Sequence, residues 1–164
     1  MTQMPLAFLL VALQAAAGVG APPEQAGASP LTVHGIWLDE DGEAAIEIVA
    51  CEAGICGDIV WLREPTVEGD KPKLDIHNPD GALRERPIIG LRLLHGFHAD
   101  GPGRWSGGRV YDPNNGKSYR CKLELEDDGA TLKIRGYVLA PLFGRTTRWA
   151  RTERADLALP DAFR

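Results

Sequence analysis

The chain has 164 residues, enough for one ordinary domain and short for two. With 44% hydrophobic and 25% charged residues it is composed as a globular protein, which excludes disorder as its main state. Its net charge of −5, from 18 basic and 23 acidic residues, argues against a nucleic-acid partner, which calls for a basic footprint.

Residues 1–23 carry no charged side chain, and Leu6 to Ala17 form an apolar run, LAFLLVALQAAA. That is the length of a signal-peptide core and too short to span a bilayer. Small residues follow, Ala15 to Ala17 and Gly18 to Ala21. The pattern predicts a signal peptide over 1–21 and export to the periplasm, although the usual basic segment before the core is missing. No Cys follows the core, so no lipid anchor is expected, and the shortness of the run argues against stable membrane insertion. Residues 22–33, containing PPEQAGASP, read as a flexible linker before a domain at 34–154 and a tail at 155–164.

From Leu31 onward the chain alternates with period two between turn residues. This predicts eight strands, at 35–38, 44–51, 56–62, 88–97, 104–111, 117–126, 131–139 and 144–153. Setting Cys51 opposite Cys56 pairs Ile48 with Ile59 and Ile46 with Trp61 on one face. That register also brings the two cysteines within disulfide reach, and export would permit the bond. Residues 63–87, with Pro65, Pro72, Pro79 and Pro87, form one long connection, a candidate lid with a short helical turn at 80–85. Its Asn78 and Asp80 read as Asx-turn and capping residues, since their spacing does not match a calcium loop.

The 104–126 hairpin has a clear turn at Asp112–Gly116 but two possible registers. One turns Trp105, Arg109 and Tyr111 inward; the other turns Ser106, Gly108 and Val110 inward. Asp128-Gly129 marks the next turn. It sets Leu125 opposite Leu132, Leu123 opposite Ile134, and Cys121 opposite Gly136, which leaves Cys121 as a buried free thiol.

These strands predict an all-β fold, a single eight-stranded antiparallel up-and-down barrel, with a β-sandwich as the rival. Such a barrel is filled by its own side chains or holds one small ligand. The expected inward set is Ile46, Ile48, Ile59, Trp61, Leu91, Leu93, Leu123 and Ile134.

Several segments together resemble a known group: Gly35-Ile36-Trp37, Cys56-Gly57-Asp58-Ile59-Val60, Asn78-Pro79-Asp80, Arg86-Pro87-Ile88-Ile89-Gly90, Trp105 to Pro113, Gly136-Tyr137-Val138 and Trp149-Ala150-Arg151. In this order and spacing the sequence resembles domain of unknown function family 2147, a bacterial family of exported proteins. The resemblance covers roughly 34–152 and implies a lipocalin-like (calycin) barrel. It further implies that Trp37, in a lipocalin-like Gly-x-Trp, packs beside Arg151 of the last strand, a structural pair.

No catalytic constellation is read, since there is no G-x-S-x-G and no coherent Cys/His/Asp set, and no cofactor is expected. His95 and His98, three apart on a strand, point to opposite faces, so no metal site is expected. Arg84, Arg86, Arg145, Arg148 and Arg151 read mainly as surface charge, with a carboxylate clamp at Arg145 as the alternative. The expected function is binding of a small apolar or amphipathic molecule. The alternative is a non-enzymatic envelope module with a filled barrel.

Overall fold

The computed structural model describes residues 32–157 apart from 53, 69, 127 and 128, so the predicted signal peptide lies outside the described residues. Ten strands form: β1 (Gly35–Leu38), β2 (Ala44–Cys51), β3 (Gly54–Leu62), β4 (Thr66–Val67), β5 (Lys71–Pro72), β6 (Arg92–Ala99), β7 (Arg104–Asp112), β8 (Lys117–Leu125), β9 (Thr131–Tyr137) and β10 (Gly144–Thr152). Eight of them close an antiparallel barrel in the order β1-β10-β9-β8-β7-β6-β3-β2, while β4 and β5 make a small separate hairpin. Closure gives each of the eight barrel strands a neighbour on both sides, which explains why so many short alternating segments are stable together. No described helix is long and apolar enough to cross a membrane.

The topology gives the barrel two unlike ends. The β2–β3, β6–β7 and β8–β9 turns lie at one end. The other end carries residues 39–43, the long 63–91 connection, 113–116 and 138–143. At the first end Trp37 is fully buried and its Nε1 donates to the Val33 carbonyl at 2.8 Å. Arg151 lies 4.2 Å from the Trp37 ring centroid. Gly35, at φ +128°, leaves room for that guanidinium, since a Cβ there would sit 2.9 Å from Arg151 Nη1. Phe97, Leu94, Ile48, Leu123 and Leu132 fill the interior behind Trp37.

The first hairpin departs from the expected register. Cys51 faces Gly54, Ile48 faces Gly57, and Ile46 faces Ile59. The slip is two residues, so both apolar faces survive it. The Cys51–Cys56 disulfide forms across a diagonal, with 5.9 Å between Cα atoms, instead of between opposed residues. A bulge between Ala45 and Ile46 then places one extra residue in β3, so that beyond it the slip is a single residue. Trp61 therefore stands opposite Ala45, on the outer side, and Leu62 turns inward in its place. Trp61 is corrected from an interior residue to an exterior one.

The β7–β8 hairpin takes something from each possible register. Trp105 faces Leu123, but Gly108 faces Cys121 and Val110 faces Tyr119. Gly107, at φ +80°, supplies the bulge that switches faces between them. The β8–β9 register matches expectation, with Leu125, Leu123 and Cys121 opposite Leu132, Ile134 and Gly136. Cys121 is a buried free thiol, and burial pushes its pKa up to about 12. Apolar residues 88–91 do not join a strand. The Gly90 N–H donates to Ile59 O and Leu91 O accepts from Ile59 N, so this segment ends the connection against β3.

Candidate functional site

Packing stops halfway up the barrel. Above it a cavity of about 1160 Å³ opens toward the connection-bearing end. Its apolar wall comes from Ile46, Ile59, Leu62, Leu93, Val110 and Ile134, with the buried core residues Ile88 and Trp149 at its edge. Ligand pockets share this makeup, mostly apolar lining with a few placed polar groups, and run to roughly 1,000 Å³.

Four of the eight expected interior residues, Ile46, Ile59, Leu93 and Ile134, line this cavity. Ile48, Leu91 and Leu123 are buried in the packed core instead. Trp61 lies outside, as described above. The division follows depth along the strands, which alternation cannot report.

Polar groups gather at the rim. Arg145, Thr147 and Trp149 alternate on the inner face of β10, so the guanidinium and the indole are separated by about 13 Å of strand. The Arg145 side chain makes no hydrogen bond or ion pair with another described residue. Gly136 is its cross-strand partner, and the missing side chain there keeps the wall beneath the rim thin. Tyr119 and Tyr137 complete this side of the mouth. The other arginines considered from sequence are committed elsewhere. Arg86 pairs with Asp75, Arg148 with Glu126, Arg84 Nε donates to Asn78 O, and Arg151 closes the far end. His95 and His98 sit opposite Arg109 and Ser106 on the β6–β7 ladder. No three described His, Cys, Asp or Glu side chains gather closely enough to hold a metal ion.

The connection crosses the rim as a strap fixed at one polar cluster. Asp75 is fully buried. It accepts from Tyr111 Oη at 2.6 Å, Asn78 Nδ2 at 2.7 Å and Arg86 Nη2 at 2.8 Å. Burial opposes its ionisation, but these hydrogen bonds and the Arg86 charge outweigh it and hold the carboxyl below its usual range. Burial, then the bond to Asp75 and its charge, push Tyr111 up to about 12. Asn78 Oδ1 accepts from Asp80 N and Asp80 Oδ1 from Ala82 N, the Asx-turn and capping roles read from sequence. The fourfold cluster around Asp75 was not legible there, because Tyr111 lies 36 residues away.

The family model described as "Uncharacterized protein conserved in bacteria (DUF2147)" matches residues 35–151. Among solved structures the chain is similar to protein HP1028 from Helicobacter pylori, described as belonging to the lipocalin family. The two share 23% identity and a TM-score of 0.65, over 76% of this chain and 86% of that one. No curated protein matches the chain.

Proposed function

The chain belongs to the DUF2147 family, and from that premise and its half-filled barrel we propose that it binds a small amphipathic molecule and is exported to do so. The observation that carries the reading is the unfilled upper half of the barrel, apolar in depth with an uncommitted guanidinium at its rim. The lipocalin-like fold supports it, since barrels of this size enclose one small ligand or fill themselves. The tail of the molecule lies against Ile46, Ile59, Leu62 and Trp149, and an anionic head meets Arg145. Binding, not catalysis, fits the rim. Its one group of shifted ionisable residues, Asp75 and Tyr111, spends its hydrogen bonds on holding the strap. The Cys51–Cys56 disulfide supports export, because such bonds persist in oxidising compartments.

A titration with cis-parinaric acid, a fluorescent long-chain carboxylate, is expected to saturate at one molecule per chain. Arg145→Ala should weaken it about tenfold while leaving a long-chain alcohol within about twofold, because only the charge-assisted contact is lost. Gly136→Leu should weaken both. A Cβ there meets Val110 and Tyr119 at ordinary distances of 3.8 and 3.9 Å, so the barrel holds while the longer side chain occupies the cavity. Non-saturating binding, or wild-type affinity in Gly136→Leu, would contradict the assignment.

A further inference from the structure

The β9–β10 loop at the mouth breaks the usual rule for a surface loop. Val138, Leu139, Leu142 and Phe143 are 67%, 84%, 80% and 79% exposed. They are four of the eight large apolar side chains exposed among the described residues, and they occupy six consecutive positions. The loop is not loose. Arg135 donates to the carbonyls of Pro141 and Leu142 and to Thr146 Oγ1, and Phe143 N donates to Ala140 O at 3.0 Å. These bonds tie the 140–143 turn to β9, and the apolar side chains are left outward. A contiguous patch of this kind marks an interaction surface.

The strands beside the loop carry a second anomaly. On their outer face Arg109 stands directly opposite Arg120, and Lys122 directly opposite Arg135. Like charges opposed across a ladder destabilise a sheet. The side chains of Arg109, Arg120 and Lys122 make no hydrogen bond or ion pair to another described residue, whereas Arg92, Arg104, Lys133 and Arg148 are each matched to an acid. His95, across from Arg109, feels the same field. Burial first, then the charges of Arg109 and Arg92, hold its pKa below the usual value. Apart from Asp112, whose carboxylate is taken up within its own turn by Asn114 N and Asn115 Nδ2, the acids of the mouth lie elsewhere. Asp39, Glu40, Asp41 and Glu43 surround the β1–β2 turn, which the strand order places across the barrel from β7 and β8. A chain of net charge −5 thus concentrates unmatched cations on one side of its mouth, beside its most exposed apolar loop.

We propose that the 138–143 loop and the basic outer face of β7–β9 form one docking surface for an anionic lipid bilayer, with the loop tip seated among the headgroups. Leu139 and Leu142, 84% and 80% exposed, stand outside the cavity lining. The cations beside them are long, and Glu124, the carboxylate on the same face of β8, is already taken by Arg104 and Lys133. Interfacial apolar insertion next to a cationic face is the physical pattern of peripheral membrane binding. Val138 and Phe143 also line the cavity mouth, so the docked protein faces its opening toward the lipid. This surface goes beyond the proposed small-molecule site and does not depend on it.

The test is co-sedimentation of the protein with vesicles of phosphatidylcholine alone, or of phosphatidylcholine mixed with phosphatidylglycerol, at low and high salt. Binding is expected to the mixed vesicles and to weaken as salt rises. Leu142→Ser with Phe143→Ser should remove most of it. Arg109→Gln with Arg120→Gln should weaken it about tenfold or more, with an unchanged or higher melting temperature because a repulsive pair has gone. The four side chains are exposed, so the fold of both variants is checked by circular dichroism. Absence of binding to mixed vesicles, equal binding to both compositions at every salt concentration, or a dimer formed through this face in place of vesicle binding would overturn the proposal.

Discussion

Trp37→Ala is expected to lower the free energy of unfolding by about 3–5 kcal/mol, the range for truncating a large buried aromatic. Trp37 has no exposed surface and is the bulkiest fully buried side chain of the closed end. Its loss leaves a cavity and removes two further contacts, the indole donation to Val33 O at 2.8 Å and the Arg151 stacking at 4.2 Å. Arg151 would then lose its packing while still donating to Gly129 O, His34 O and Thr32 O. Urea unfolding measures the difference. A loss below about 1 kcal/mol would show that the closed end is not organised around this residue.

Asp75→Ala is expected to cost about 2–4 kcal/mol and to free the strap from the rim. The figure lies below the full cost of breaking a buried pair because the Arg86 side chain is 37% exposed and regains water. Tyr111, buried with its hydroxyl aimed at the missing carboxylate, loses its acceptor. The sign of the pH dependence follows from the depressed carboxyl. Unfolded Asp titrates near about 3.9. The stabilisation is therefore complete at neutral pH, begins to fade as pH falls toward that value, and is lost as pH passes below the folded pKa. Urea unfolding of wild type and Asp75→Asn across this range should show a gap that is constant above about pH 5 and closes in acid. A gap independent of pH would place the stabilisation in shape instead of charge.

The barrel was legible because alternation survives most local errors. The first hairpin shows how: a two-residue slip leaves Ile46, Ile48 and Ile59 on the correct face, so the pattern contains no penalty that would reveal it. What the pattern could not contain was the one-residue bulge at Ala45/Ile46, which alone moved Trp61 outside and brought Leu62 in. Gly107 did the same to β7, and there the glycine was a visible signal that only pairing could interpret. Residues 88–91 are apolar enough for a strand, but they bind β3 as the end of the strap. The apolar loop at 138–143 was partly absorbed into a predicted strand over 131–139, because Val138 is a strand former next to apolar Leu139 and exposure leaves no mark in composition. The candidate site was legible as a list of inward residues, not as a boundary. Whether Ile48 packs and Ile46 lines a void depends on how far Phe97 and Trp37 reach, which is fixed only in three dimensions.

Native mass spectrometry of the protein recovered from its own host tests the binding cavity most directly. One added small mass per chain, that of an anionic amphiphile, is the expected result, and Gly136→Leu recovered in the same way should carry none. The bare chain mass alone, both as isolated and after incubation with long-chain carboxylates, would contradict a ligand-binding barrel.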